Sequence, residues 1–96
     1  MATAFTWDDR KNAANRARHG LDFADAEPVF ASTGVVIEDD REDYGETRMV
    51  RVGFLRTMPV VVVYTEPDDH TYRIISFRKA TRFEARALDE ALLQRP

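Results

Sequence analysis

The sequence predicts an α+β fold, in which N-terminal helices and a C-terminal helix pack on a mostly antiparallel sheet of about four strands. Residues 48–55 alternate between two side-chain faces, and residues 60–64 are apolar on both faces, which is typical of a central strand. Short turn-forming segments separate the last strands, so these strands can pair as antiparallel hairpins. We expect the helices to pack on one side of this sheet.

The N-terminal segment is predicted to form a short edge strand followed by a cationic helix. Residues 5–7 supply the strand, and either Thr6 or Asp8 can cap a helix that extends to about His19. Gly20 fits the left-handed position after a helix end. His19 falls in the last turn, where the helix dipole favours a cation.

A second, short helix is predicted to contribute to the core. Asp22 is a suitable cap for a helix over residues 23–30, and Pro28 should kink or shorten it because proline lacks a backbone N–H. Phe23, Ala26 and Phe30 fall on one face of this helix, so we expect them to pack against the sheet.

The sheet begins at residues 35–37 and is followed by a charged run, residues 38–43, that ends at Gly45. We interpret the run as a solvated loop. Paired carboxylates for a metal ion are the alternative, but no His or Cys accompanies them and the spacing is not that of a calcium loop. The sequence therefore predicts neither a metal site nor a cofactor.

The remaining strands and turns follow in order. Residues 56–59 are predicted to form a tight turn, residues 60–64 a central strand, residues 66–70 a second turn and residues 72–78 the last strand. Because the second turn is short, we expect the last strand to lie inside the sheet and to pair with the 60–64 strand.

The C-terminal helix begins with a capping box. Thr81 and Glu84 have the spacing at which each side chain can bond an exposed amide of the first turn. Ala85, Leu88 and Leu92 then recur at the spacing of a core-facing helix.

Composition limits the class of protein. The 96 residues form a single domain, 1–96, and the absence of cysteine excludes disulfides and thiolate metal sites. The N-terminus lacks a signal-peptide pattern and no apolar run could span a membrane, so we expect a cytoplasmic location.

The net charge is −3, yet residues 71–96 carry an excess of three positive charges. A basic C-terminal region on an acidic body can steer a polyanion to one place.

The junction between the last strand and the last helix concentrates positive charge. Arg78, Lys79 and Arg82 lie beside the free N–H groups of a helix N-terminus, an arrangement that suits a phosphate backbone. The alternative is a solvated junction, or an ion pair between Arg78 and Glu84.

Three blocks of sequence match one known family in order and spacing: residues 73–80, RIISFRKA, residues 5–12 and residues 19–23. They resemble the BrnT toxins, in which the segment similar to residues 73–80 is RIISARKA. The segment Gly45-Glu46-x-Arg48 is a weaker fourth match. The resemblance implies a RelE-like fold and a metal-independent endoribonuclease, which a BrnA-type antitoxin neutralises in a hetero-oligomer. It implies attack of an RNA 2′-hydroxyl on the adjacent phosphate, without a cofactor.

Together with the charge pattern, the resemblance defines a set of candidate site residues. The candidates for catalysis are Arg78, Lys79, His19, Arg48, Arg73, Ser76 and Glu46, and those for RNA binding are Arg82, Lys11 and Arg51. Arginine and lysine suit charge on phosphoryl oxygens, whereas His19 or Glu46 could transfer protons. We expect loss of Arg78 to lower cleavage about a hundredfold with little effect on folding.

The alternation of side chains along a strand places some of these candidates on opposite faces of the sheet. In a regular strand Arg73 and Ser76 lie on opposite faces, so both can line one groove only if a bulge intervenes. Arg48 and Arg51 also lie on opposite faces, and the family resemblance favours Arg48 as the one that shares a groove with Arg78.

Several candidates have a purely structural interpretation. His19 could stabilise a helix end, Arg73 could pair at a sheet edge, Glu46 could be a solvated turn residue and Lys11 could belong to a helix surface. Of the aromatic residues that could stack on bases, Trp7 and Tyr64 are expected in the core, whereas Tyr44 is expected to be free. A catalytically silent module that binds a protein or a nucleic acid is the alternative function.

Overall fold

The computed structural model describes residues 3–39 and 45–94, which form a five-stranded sheet with three α-helices. The elements are β1 (Ala4–Thr6), α1 (Asp9–His19), a 3₁₀ turn (Phe23–Asp25), α2 (Glu27–Ala31), β2 (Val35–Asp39), β3 (Arg48–Leu55), β4 (Met58–Asp68), β5 (Thr71–Lys79) and α3 (Arg82–Leu93). In this part of the chain, no helix has the length and apolar character needed to cross a membrane. Most of the predicted charged loop, including Tyr44, lies outside the described residues.

The strand order across the sheet is β1-β5-β4-β3-β2. The strands from β2 to β5 pair antiparallel with their neighbours in sequence, and β1 adds a parallel fifth strand at the edge, next to β5. The prediction that the last strand lies inside the sheet and pairs with β4 is confirmed. The N-terminal edge strand predicted over residues 5–7 is present as Ala4–Thr6, so the sheet has five strands rather than about four, and its parallel pairing with β5 was not predicted.

The hairpin between β3 and β4 is tighter than the sequence predicts. Leu55 pairs directly with Met58, so the turn consists of Arg56 and Thr57 alone, and Arg56 has a left-handed φ of 58°. The prediction of a turn over residues 56–59 was wrong for its last two positions. Pro59 is the second residue of β4, where the missing N–H removes at most one ladder hydrogen bond next to the turn.

The N-terminal helix α1 forms largely as predicted, and Asp8 provides its cap. The Asp8 carboxylate accepts hydrogen bonds from the backbone N–H groups of Arg10 and Lys11 at 2.9 and 3.1 Å. Gly20 ends the helix with a φ of 72°. These two residues set the length of α1 and therefore the position of His19 in its last turn.

The predicted second helix is divided into two pieces. Asp22 caps the 3₁₀ turn, whereas Pro28 lies in the first turn of α2. A proline at that position breaks no helical hydrogen bond, because the first N–H groups of a helix have no partner within it. Pro28 therefore begins a helix rather than kinking one.

The sheet is covered on both faces, so the prediction that the helices pack on one side of it was wrong. Phe23 and Val29 pack on one face against Val60 and Val62, whereas α3 covers the other face with Leu88, which is 1% exposed. The cleft beneath α3 is lined on the sheet side by Val35, Ile37, Val50 and Val52. Because β4 is apolar on both faces, a helix on one side alone would leave half of its side chains in water.

Gly53 allows α2 to approach the sheet closely. A Cβ atom at this position would lie 2.9 Å from Ser32 Oγ and 3.2 Å from Val29 Cγ1. A side chain on Gly53 would therefore push the end of α2 away from β3.

Candidate functional site

A β-bulge in β5 brings two predicted site residues onto one face of the sheet. Ser76 pairs with Val63 and Ile74 pairs with Tyr64, which leaves Ile75 as an extra residue between them. A bulge of this kind shifts the alternation of side chains by one position. Arg73 and Ser76 therefore share a face, although a regular strand would separate them.

This face, which we call the α3 face, carries a polar row across three strands. Arg73 on β5 pairs with Thr65 on β4, and Thr65 pairs with Arg48 on β3. Paired residues in neighbouring strands point to the same side of the sheet. Thr65 is 1% exposed, Arg48 is half-buried and Arg73 is exposed. The row thus places two arginines on the same face as Ser76.

Arg78 lies on the α3 face and is held by Glu84 of α3. Its Nη1 and Nη2 atoms donate to the two carboxylate oxygens of Glu84 at 2.7 and 2.9 Å. The two side chains are 32% and 25% exposed. Chiefly because of Arg78, the pKa of the Glu84 carboxyl falls from 4.5 to about 2. The ion pair considered in the sequence analysis is therefore present.

The surroundings of Arg78 are acidic. The cleft that it lines also contains Glu38, Asp39 and Glu84. Three carboxylates around one guanidinium oppose the approach of a second anion. This part of the α3 face is therefore a less favourable phosphate site than the sequence suggests.

The positively charged side chains at the junction of β5 and α3 do not point to a common place on the surface. These are Arg78, Lys79 and Arg82. Lys79 pairs with Val60, which points away from the α3 face, and Arg82 is an exposed residue in the first turn of α3. Side chains at successive strand positions alternate between faces, so Arg78 and Lys79 cannot contact one phosphate from the same side. Glu46 is exposed before β3 and lines a small cavity with Thr65.

A second group of predicted residues meets in a cleft between α1 and β5. The cleft has a volume of about 270 Å³ and is lined by Lys11, Ala14, Asn15, Arg18, His19, Ile75 and Ser76. Lys11 and His19 are eight residues apart in α1 and therefore lie on one helix face. This cleft, which we call the α1–β5 cleft, shares Ser76 with the α3 face and contains no carboxylate in its lining.

Asn15 fixes α1 against β5 and was missed by the sequence analysis. Its side-chain amide donates to the carbonyls of Phe77 and Leu21 at 2.8 and 2.9 Å, and its oxygen accepts from the Phe77 N–H at 3.1 Å. Asn15 is 8% exposed. The signal for it was an asparagine in the middle of a helix, where this residue is unfavourable unless its side chain has a partner.

The interpretation of Arg51 as an RNA contact does not fit its geometry. It lies on the face opposite Arg48, and its guanidinium donates to the carbonyls of Val29, Phe30 and Ser32 at 3.0–3.2 Å. Its charge also lies 5.6 Å from the centre of the Phe30 ring. Arg51 therefore stabilises the C-terminal end of α2, where carbonyls lack helical partners.

Three aromatic residues that could stack on bases, Trp7, Tyr64 and Tyr72, are engaged in packing. Tyr64 is 3% exposed, and the Tyr72 ring stacks on Phe30 at 4.5 Å between centroids. Trp7 meets Phe23 edge to face at 6.5 Å. Within residues 3–39 and 45–94, no group of three or more His, Asp or Glu side chains is placed to hold a metal ion.

Comparison with known proteins identifies the family. The model of the family described as ribonuclease toxin, BrnT, of type II toxin-antitoxin system matches residues 7–84. The 1.1 Å crystal structure of the Brucella abortus ribonuclease toxin, BrnT, is similar with a TM-score of 0.71 and 26% sequence identity, over 84% of this chain and 100% of that chain. No curated protein matches the chain. From the family match and the shared fold, the chain belongs to the BrnT family of ribonuclease toxins of type II toxin–antitoxin systems.

Proposed function

We propose that the protein is a metal-independent endoribonuclease that cleaves RNA by attack of a 2′-hydroxyl on the adjacent phosphate. The observation that carries the proposal is the position of Ser76. Because of the bulge at Ile75, Ser76 lies on the same face as Arg73 and also lines the α1–β5 cleft with His19. Charge stabilisation and proton transfer can therefore act on one phosphate group.

The proposed roles follow from the chemistry of the transition state. Negative charge develops on the non-bridging oxygens, and the guanidinium groups of Arg73 and Arg48 are suited to stabilise it. The Ser76 hydroxyl can donate to a phosphate oxygen. His19 is the proposed general acid or base, because an imidazole can exchange protons near neutral pH. Glu46 is the alternative base, at the Thr65 end of the polar row.

Arg78 has a smaller proposed role than the sequence suggests. Its charge is matched by Glu84, whereas Arg73 is exposed and makes no ion pair among those found in the described residues. We therefore assign the main phosphate contact to Arg73. Lys79 and Arg82 are proposed to bind flanking RNA, since both are exposed at the end of β5 and the start of α3.

A BrnA-type antitoxin is the proposed protein partner. The family consists of toxins of type II toxin–antitoxin systems, and such a toxin is most simply silenced by covering its substrate face. We propose that the antitoxin and the toxin form a hetero-oligomer in the cytoplasm, in which the antitoxin shields the α3 face and the junction at Lys79.

Cleavage of a defined single-stranded RNA by the purified protein tests this function. Cleavage should persist in excess EDTA and leave a 2′,3′-cyclic phosphate, the product of attack by the 2′-hydroxyl. Arg73→Ala and His19→Gln should each lower the rate about a hundredfold. His70→Gln is the matched control, because His70 is an exposed residue of the β4–β5 turn.

The outcomes distinguish an enzyme from a silent binding module. Folded wild-type protein that binds RNA without cleaving it would support the module. Cleavage that stops in EDTA would contradict the metal-independent mechanism. Wild-type rates in both variants would remove Arg73 and His19 from the site.

A further inference from the structure

We propose that the α1–β5 cleft is a second phosphate-binding site, in which Arg18 and Lys11 hold the RNA backbone next to the phosphate that is cleaved. The inference rests on the proposed function and specifies how the substrate crosses the protein. The RNA strand passes from the polar row on the α3 face, over Ser76 at β5, to the exposed face of α1.

The charge of the cleft carries the first part of the argument. Its lining includes Lys11 and Arg18, which are both cationic, and His19 adds a third basic group. No carboxylate lines this cleft, whereas the cleft around Arg78 contains three. On a chain with a net charge of −3, such a local excess of positive charge is a favourable place for a polyanion.

The shape of the cleft fits a strand of backbone rather than a whole small molecule. Its volume of about 270 Å³ is below the usual range for small-molecule pockets. Ala14 lies between the two cations along α1, four residues before Arg18. Because Ala14 has only a methyl group, a phosphate can approach the helix between Lys11 and Arg18 without displacing a side chain.

The cleft is also rigidly connected to the proposed cleavage site. Asn15, which forms part of its lining, is hydrogen-bonded to both the N–H and the carbonyl of Phe77. Phe77 is the neighbour of Ser76, so the cations of α1 hold a fixed position relative to the polar row. A pre-organised pair of phosphate sites binds RNA with less loss of conformational freedom.

The salt dependence of RNA binding tests the proposal. The probe is a 2′-O-methyl RNA hexanucleotide, which lacks the attacking hydroxyl and therefore stays intact. Arg18→Ala should weaken binding about tenfold, as expected for one charged hydrogen bond. The slope of log K against log salt concentration should become shallower by about 0.7, the value for one phosphate of a single strand. Arg10→Ala is the control, since Arg10 is exposed on the same helix but does not line the cleft.

Substrate length provides a second readout. A dinucleoside monophosphate has a single phosphate and cannot reach the second site. Arg18→Ala should therefore lower kcat/KM about tenfold for an RNA hexanucleotide and leave the dinucleotide unchanged. An equal loss for both substrates would overturn the proposal, because Arg18 would then act on folding or on the cleaved phosphate.

Chemical protection provides a third readout, because the chain has only two lysines, Lys11 and Lys79. The 2′-O-methyl RNA should protect Lys11 from acylation, as measured by mass spectrometry of the two lysine-containing peptides. Full reactivity of Lys11 in the RNA complex would overturn the proposal.

Each remaining outcome is also decisive. A slope for Arg18→Ala equal to that of the wild type, or an equal change in Arg10→Ala, would overturn the second site. The same holds if Arg18→Ala weakens the antitoxin complex while RNA binding is unchanged, since the cleft would then be a protein contact. If the wild type cleaves no RNA, the proposed function fails, but the binding and protection experiments still test the second site.

Discussion

Glu84 is hydrogen-bonded both to Arg78 of β5 and to the backbone that caps α3. Its two oxygens accept from the Arg78 guanidinium at 2.7 and 2.9 Å, and one of them also accepts from the Thr81 N–H at 2.8 Å. The Thr81 hydroxyl in turn accepts from the Glu84 N–H at 3.1 Å. One carboxylate thus fixes the start of the helix and its attachment to the sheet.

Acid should therefore weaken the attachment of α3. The pKa of Glu84 is lowered to about 2 in the folded chain, from 4.5. The stabilisation is fully present above pH 4.5 and is lost as the pH falls towards 2. Glu84→Gln should lower the free energy of unfolding at pH 7 by about 1 to 2 kcal/mol, and the difference from the wild type should vanish at low pH.

Urea denaturation at a series of pH values measures this effect. Glu90→Gln is the matched control, because Glu90 is exposed on the same helix. A constant difference between Glu84→Gln and the wild type from pH 7 to pH 2 would contradict the assignment.

Comparison of Arg78 with Glu84 separates a structural role from a catalytic one. Arg78→Ala should destabilise the fold by about 1 to 2 kcal/mol, because it removes the same ion pair as Glu84→Gln. If Arg78 also contacts RNA, its variant should cleave more slowly than Glu84→Gln at equal folded fraction. Rates and unfolding curves of both variants are the measurements, and equal rates would limit Arg78 to positioning α3.

Loss of the Asn15 side chain should loosen the edge of β5. Asn15→Ala leaves the N–H and carbonyl of Phe77 without their partners in a buried place, which should cost about 2 to 3 kcal/mol. Hydrogen exchange at the Phe77 amide should become faster. The control is Asn12→Ala, since Asn12 bonds Asp22 and the Phe23 N–H but not β5. Unchanged protection of Phe77 in Asn15→Ala would contradict this role.

Substitution of Arg51 should lower the stability of the fold and leave RNA affinity unchanged. Arg51→Met removes three hydrogen bonds to carbonyls at the end of α2 and should cost about 2 to 3 kcal/mol. Arg51→Lys should recover only part of the lost stability, because an ammonium cannot match the planar fork of the guanidinium. Thermal unfolding and RNA affinity should be measured together, and a loss of affinity in folded Arg51→Met would restore Arg51 to the binding surface.

Antitoxin binding should protect Lys79 and Arg78 from solvent. Acylation of Lys79 in the free toxin and in the complex, followed by mass spectrometry, reports this directly because Lys79 is exposed in the free chain. Loss of reactivity at Lys79 is the expected outcome. A complex that blocks cleavage while Lys79 remains reactive would place the antitoxin elsewhere.

The order and type of most elements could be predicted from local pattern. The capping box at Thr81, the ending at Gly20 and the apolar β4 are local signals, and each produced the expected structure. The parallel pairing of β1 and the second covered face depend on contacts between distant parts of the chain. The residues next to Ala4–Thr6 in the sequence do not show which strand β1 pairs with.

The candidate site was less predictable because its arrangement depends on one extra residue. Ile74 and Ile75 are identical in type, so the sequence cannot show which of them is buried and which forms the bulge. Whether Arg73 and Ser76 lie on the same face of the sheet depends on which isoleucine forms the bulge. Likewise, the anchoring role of Asn15 requires the position of Phe77, which is far along the chain.

The pairing of β1 with β5 also has a consequence for synthesis of the toxin. Ala4 lies beside Thr71, so β1 has no partner strand until residues 71–73 have left the ribosome. Contacts of such wide sequence separation form slowly, and unpaired strand edges are exposed to aggregation in the meantime. Asn15 likewise has no partner on β5 until residue 77 is made. A prematurely terminated chain without β5 therefore has no α1–β5 cleft, because Ile75 and Ser76 form part of its lining.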